Sequence, residues 1–151
     1  MNEKKNLTIK ETFALAVQHH QKNNLQVAEK LYKEILKTNP NHANTRNNLG
    51  SVLKKLGESR KAISCFQKAI QIQSNHADAH YNLGNTLKDL GEHKKAISYF
   101  KKTNSIVSKE ELLKYSYLLD GLEDYKKKLE KFVKEETCSR NVAATAAYVS
   151  K

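Results

Sequence analysis

Ala43-Asn44-Thr45-Arg46-Asn47-Asn48-Leu49-Gly50 returns 34 residues later as Ala77-Asp78-Ala79-His80-Tyr81-Asn82-Leu83-Gly84. The register continues: Leu56-Gly57-Glu58 returns as Leu90-Gly91-Glu92, and Lys61-Ala62-Ile63-Ser64-Cys65-Phe66 as Lys95-Ala96-Ile97-Ser98-Tyr99-Phe100. Of the 34 positions in 43–76, 17 are identical in 77–110. A unit of this length cannot bury its own apolar face, so self-similarity at such a period predicts a stack in which each unit covers the next. Function in a stack of this kind belongs to a surface rather than to an enclosed pocket.

Within each unit the apolar residues have helical spacing. Leu49, Val52, Leu53 and Leu56 fall at i, i+3, i+4 and i+7, and Ala62, Ile63, Phe66, Ala69 and Ile70 form a second such stripe. A unit is therefore two amphipathic helices. Small residues at Gly50, Ala62, Gly84 and Ala96 let the paired helices approach closely. Gly57 and Gly91 follow the last apolar residue of each first helix and suit a left-handed helix end; Asn23 and Asn24 stand at the same place in an earlier, weaker unit and can adopt that conformation at some cost. The second helices are expected to end near Asn39-Pro40, Ser74-Asn75 and Ser108. Helix pairs are thus predicted at about 9–38, 43–73 and 77–107.

These residues resemble the tetratricopeptide repeat. Residues 43–76 carry its Leu49-Gly50, Gly57, Ala62, Phe66 and Ala69, and 77–110 carry Leu83-Gly84, Gly91, Ala96 and Phe100. Residues 9–42 match more weakly, through Leu15, Ala16, Ala28, Tyr32 and Pro40. The resemblance implies an all-α, right-handed α-solenoid of antiparallel helix pairs. Its expected parts are an N-terminal extension at 1–8, repeats at 9–42, 43–76 and 77–110, a degenerate pair at 111–136 and a capping helix at 137–151. The phrase running from Asp78 to Asn85 is further similar to repeats of the O-linked N-acetylglucosamine transferase superhelix, which implies that Asn48 and Asn82 line the inner surface and hold extended peptides by their backbones. Read from the residues alone, the same two amides could equally bond across neighbouring helices. Another use of the repeat, the clamp for acidic chaperone tails, requires cations where this chain has Phe13, Val17, Asn47, Ser51, Tyr81 and Asn85, so it is not expected. Residues 139–150 faintly resemble the junction between such repeats and an oxygenase domain in some bacterial proteins.

The chain has 151 residues and a formal charge of +11. The excess belongs to the array: residues 1–110 carry 19 Lys and Arg against nine acidic residues, and 111–151 carry eight against seven. Lys61, Lys94, Lys95, Lys101 and Lys102 are expected on outward-facing second helices, while Lys54, Lys55 and Lys88 end first helices, where the helix dipole favours cations and where an inner lip should form. Such a lip suits an acidic protein or peptide. Nucleic acid is not expected, since charge is its only support. The opening Met1-Asn2-Glu3-Lys4-Lys5-Asn6 leads into no apolar stretch and the chain has no run of roughly 18 apolar residues, so neither a secretory signal nor a membrane span is expected. Cys65 and Cys138 have no paired spacing, and a reduced, cytoplasmic, bacterial protein is the expectation. The lysine-rich composition, 24 Lys against three Arg, fits an AT-rich genome.

His76 and His80 have the i, i+4 spacing of two metal ligands on one helix, and His76-Ala77-Asp78 matches the start of a two-histidine, one-carboxylate site. His76 is also the repeat of His42, which makes it a turn residue first. No phosphate-binding glycine loop and no nucleophile elbow is present, so neither catalysis nor a cofactor or metal is expected. The residues expected to meet a partner are Asn47, Asn48, Ser51, Lys54, Lys55, Tyr81, Asn82, Asn85 and Lys88. The function expected is a non-catalytic peptide- or protein-binding scaffold. Alternatives are a substrate-recruiting appendage of an oxygenase or glycosyltransferase carried elsewhere, or a self-associating solenoid.

Overall fold

The computed structural model describes residues 8–103, 106–120 and 126–131. Two compact bodies divide the chain between Thr103 and Asn104. Among its described residues the first holds six helices: α1 (Ile9–Gln21), α2 (Leu25–Thr38), α3 (Ala43–Lys55), α4 (Ser59–Ile72), α5 (Ala77–Asp89) and α6 (His93–Phe100). In the second, α7 (Ile106–Asp120) is followed by a helical segment at 126–131. Among the described residues no helix is long and apolar enough to cross a membrane.

The helices stop where the repeat chemistry stops them. Gly57 and Gly91 have φ of 82° and 78°, and Asn23, at the same place in the first unit, has φ of 60°. After α3 the Glu58 N–H donates to the Leu53 carbonyl at 2.9 Å and the Gly57 N–H to the Lys54 carbonyl at 3.0 Å. The same two-bond closure recurs from Glu92 to Leu87 and Gly91 to Lys88, and from Asn24 to His19 and Asn23 to His20. These bonds satisfy carbonyls that a helix end would otherwise leave bare, at the cost of one left-handed residue. The start of α1 is fixed by a reciprocal box in which Thr8 Oγ1 accepts the Glu11 N–H at 3.2 Å and Glu11 Oε2 accepts the Thr8 N–H at 2.9 Å.

Each pair closes on one contact between a small residue and a ring. Phe66 and Phe100 are fully buried, and a Cβ added at Gly50 or Gly84 would stand 2.6 Å or 2.5 Å from the Cε1 of that ring. In the first pair Ala16 and Tyr32 hold these positions, both fully buried. Ala28, Ala62 and Ala96, also at zero exposure, let the second helices in. Between units, α2 packs on α3 and α4 on α5, and the first helices also meet directly, α1 on α3 and α3 on α5. Second helices make no comparable set of contacts with one another, so the stack curves with α1, α3 and α5 on its inner side.

Two boundaries differ from the sequence reading. The third pair was expected to run to 107, but α6 ends at Phe100. Thr103 stands where the second unit has Ala69, and its hydroxyl donates to the Phe100 carbonyl at 3.1 Å, alongside its own N–H at 3.1 Å. A hydroxyl that takes a carbonyl in this way competes with helix continuation, which alanine does not. Ser108, read as a helix end, instead lies buried within α7. The expected capping helix at 137–151, and with it the oxygenase-like stretch at 139–150, lies outside the described residues.

Replacing Gly84 with alanine should destabilise the array by about 1–3 kcal/mol, because Phe100 has no room to retreat in a filled core. Gly57→Ala meets no atom within 4 Å and should cost about 1–2 kcal/mol from backbone strain alone. Urea denaturation separates the causes: serine or alanine at 84 should be costly, whereas asparagine at 57 should recover most of the loss.

Candidate functional site

The inner surface is a set of seams between successive first helices. At the α3/α5 seam the polar side chains satisfy one another. Asn82 Nδ2 donates to Asn47 Oδ1 at 3.0 Å and to Ser51 Oγ at 3.4 Å. Asn47 Nδ2 donates to Asn48 Oδ1 at 3.3 Å, and Ser51 Oγ to the Asn47 carbonyl at 3.3 Å. Two turns further on, Lys54 Nζ meets Asp89 Oδ2 at 2.8 Å. Asn82 therefore bonds across neighbouring first helices, one of the two roles open to it from sequence. Asn47 is buried, whereas Asn48, Ser51, Tyr81, Asn82, Asn85 and Lys88 are half-buried and Lys55 is exposed. Tyr81 lies 5.9 Å from the Phe100 ring, and the Asn85 amide makes no hydrogen bond among the described residues.

The sequence thus brings Asn47, Asn48, Ser51 and Asn82 into one network. It does not leave Lys54 as an open cation, because Asp89 faces it.

The α1/α3 seam has the same backbone and different chemistry. Counting back 34 residues, Phe13 replaces Asn47, Val17 replaces Ser51, Asn48 replaces Asn82, His20 replaces Lys54 and Lys55 replaces Asp89. Phe13 packs 6.0 Å from the Tyr32 ring and 5.5 Å from His42. His20 is half-buried with its ring edge-on to Tyr32 at 6.4 Å. Burial and, after it, the Lys55 ammonium hold the His20 imidazole below its ordinary range. Burial pushes the Tyr32 phenol up, with the Asn48 amide acting in the opposite direction. Sequence reasoning missed His20, although the repeat register itself aligns it with Lys54 and Lys88.

His42, His76 and His80 serve the corners between units. His42 Nδ1 accepts the Thr45 N–H at 3.2 Å, and His76 Nδ1 accepts the Ala79 N–H at 3.4 Å, so each caps the helix that follows. With Nδ1 accepting, the proton of His76 sits on Nε2, which faces Asn44 Oδ1 at 3.0 Å and ties α5 to α3. His80 is buried and places Nε2 2.8 Å from the Ser74 carbonyl. Among the described residues no three His, Cys, Asp or Glu side chains converge as a metal would need. Cys65 is half-buried and burial pushes its thiol up, against the pull of Arg46, Lys68 and Lys33, which makes it a poor nucleophile. Lys61, Lys94, Lys95, Lys101 and Lys102 are all exposed on or just after the second helices; Lys61 pairs with Glu58, Lys95 with Glu92, and Lys102 lies over Tyr99. Such surface pairs contribute little to stability.

Comparison with known proteins places this geometry. A family model described as Tetratricopeptide repeat matches residues 41–109. Among solved structures, a crystal structure of MamA is similar at 28% identity and a TM-score of 0.72, over 85% of this chain and 80% of that one. A second MamA crystal structure is similar in fold at a TM-score of 0.75 and 24% identity, over 86% of this chain and 74% of its own. No curated protein matches in sequence.

Asn82→Ala should lower stability by about 0.5–1.5 kcal/mol for each bond lost, whereas Asn85→Ala should leave the denaturation midpoint unchanged. The depressed His20 value also has a direction in pH. The unfolded chain takes up that proton more readily than the folded one, so this contribution to stability is full above the unfolded value of about 6.5 and declines as pH falls below it. His20→Gln should give a shallower loss of melting temperature between pH 7 and pH 5 than the parent, measured by circular dichroism.

Proposed function

We propose that this chain, whose residues 41–109 match the tetratricopeptide-repeat model, is a non-catalytic tetratricopeptide-repeat scaffold whose α1, α3 and α5 surface holds an extended protein segment. The observation that carries the reading is the row of half-buried amide, hydroxyl and phenol groups along that inner surface, with the Asn85 amide uncommitted. A primary amide both donates and accepts, so it matches a peptide unit irrespective of the side chains attached. Asn85 and Tyr81 are assigned the direct contacts. Asn82 is assigned a positioning role, because its amino group is committed to Asn47 and Ser51.

Self-association by extending the stack from α1 through the same interface is disfavoured by what that helix offers. Glu11 and Gln18 occupy the positions that hold fully buried Thr45 and Val52 in the second unit and Ala79 and Thr86 in the third. Covering them with another unit would take out of water the Glu11 carboxylate, whose bonds reach only Thr8, and the Gln18 amide.

The test is to select a peptide from a random display library against the full chain and to map its site by amide chemical shifts. Shifts should concentrate on α1, α3 and α5; concentration on α2, α4 and α6 overturns the reading. Tyr81→Phe, which keeps the ring packed against Phe100, and Asn85→Ala should each weaken binding by about two- to tenfold, with the melting temperature unchanged.

A further inference from the structure

We propose that the inner seam between α1 and α3 is a carboxylate seat, in which His20 and Lys55 receive an acidic side chain of the bound peptide. The argument comes from comparing two copies of one interface. At the α3/α5 seam the fold supplies both members of an ion pair, Lys54 and Asp89, at 2.8 Å. At the α1/α3 seam the equivalent positions are His20 and Lys55, so the place of the carboxylate is taken by a second base. Neither His20 nor Lys55 meets a carboxylate among the described residues, and the two repel. Asn48 stands where Asn82 finds Asn47 and Ser51, but across the seam the repeat offers Phe13 and Val17, which have no acceptor, so its contacts are with Asn47 on its own helix and with the Tyr32 phenol.

An incoming carboxylate resolves this arrangement. It separates the two bases with the charge that the other seam contains, and imidazolium and ammonium can each donate to it. The groups bearing on His20 are Lys55 from α3 and the Tyr32 phenol from α2, with His19 and Lys22 its neighbours in sequence. All are cationic or neutral near pH 7. Seating a carboxylate therefore favours protonation of His20, and by linkage the affinity rises as pH falls toward the ordinary imidazole range. Phe13 and Val17, half-buried on the same helix, give the seat an apolar flank that suits the methylene stem of a glutamate.

The seat belongs to the peptide-binding surface proposed above and rests on that reading for its natural ligand, but hexaglutamate and hexaglutamine probe it directly. Fluorescence titration of the full chain should show hexaglutamate binding more tightly at pH 6 than at pH 7.5, and hexaglutamine not binding measurably. Lys55→Asp places a carboxylate in the seam, as Asp89 does in the other. It should weaken hexaglutamate binding by about tenfold or more while keeping or raising the melting temperature. It should also raise the His20 titration midpoint seen by NMR. Lys68→Asp, the same charge change on exposed α4 surface, should have little effect on affinity.

Equal weakening by Lys68→Asp and Lys55→Asp overturns the seat in favour of general charge attraction, as does unchanged binding in Lys55→Asp. A library-selected peptide still mapping to α1, α3 and α5 would then leave the scaffold reading standing. Both peptides mapping to α2, α4 and α6 would remove the scaffold reading as well.

Discussion

One contact sets the geometry of the array: a ring from each second helix lying where the side chain of a small residue on the first helix would be. Gly84 against Phe100 and Gly50 against Phe66 leave no space for even a methyl group, and Ala16 with Tyr32 holds the same positions in the first pair. Close approach within a pair fixes how the next pair can dock, since the surface presented to α3 is built jointly by α1 and α2. The inner seams inherit that spacing. A residue 35 positions along can reach across one of them, as Asn82 reaches Asn47 and Asp89 reaches Lys54, only because the backbones below recur in register.

Recurrence of backbone with divergence of side chains gives the two inner seams different chemistry. The α3/α5 seam satisfies its amides, its hydroxyl and one of its cations internally. The α1/α3 seam presents two aromatic or aliphatic side chains, an amide and two bases without a carboxylate between them. Because a stack's stability is close to a sum of unit and neighbour terms, one seam can give up cross-seam pairing while the others hold the array together.

Much of this was legible in the sequence, because a repeat states its own register. The left-handed ends at Gly57, Gly91 and Asn23, the close approach at Gly50 and Gly84, and the first two helix pairs all follow from residue types at fixed offsets. The end of α6 was not legible: in sequence Thr103 is one more polar residue after two lysines, and only its bond to the Phe100 carbonyl makes it a stop. The ion pair of Lys54 was hidden for a different reason. Its partner is 35 residues away and beside a turn, so that lysine looked like an open cation on the lip. His20 holds the twelfth position of the repeat, as Lys54 and Lys88 do, but a histidine in the last turn of a helix is already accounted for by the helix dipole and so carries no signal of its own. Capping by His42 and His76 is the physical content of the repeated Asn-His-Ala turn, for which a metal site was the less economical reading.

These two kinds of seam also bear on how a ligand and the fold affect each other. A partner that spans α1 and α3 provides the cross-seam contact that Lys54 and Asp89 already make one unit further on. Whatever binds the folded array and not the unfolded chain stabilises it in proportion to the logarithm of its concentration over its dissociation constant. On the proposed reading that stabilisation would enter at the α1/α3 seam, where His20 and Lys55 meet no carboxylate among the described residues. At the α3/α5 seam the corresponding side chains, Asn82 with Asn47 and Ser51, and Lys54 with Asp89, are already matched. Ligand binding should thus tighten the stack locally, at its N-terminal end, without altering the spacing that the glycine and phenylalanine contacts impose on the units beyond it.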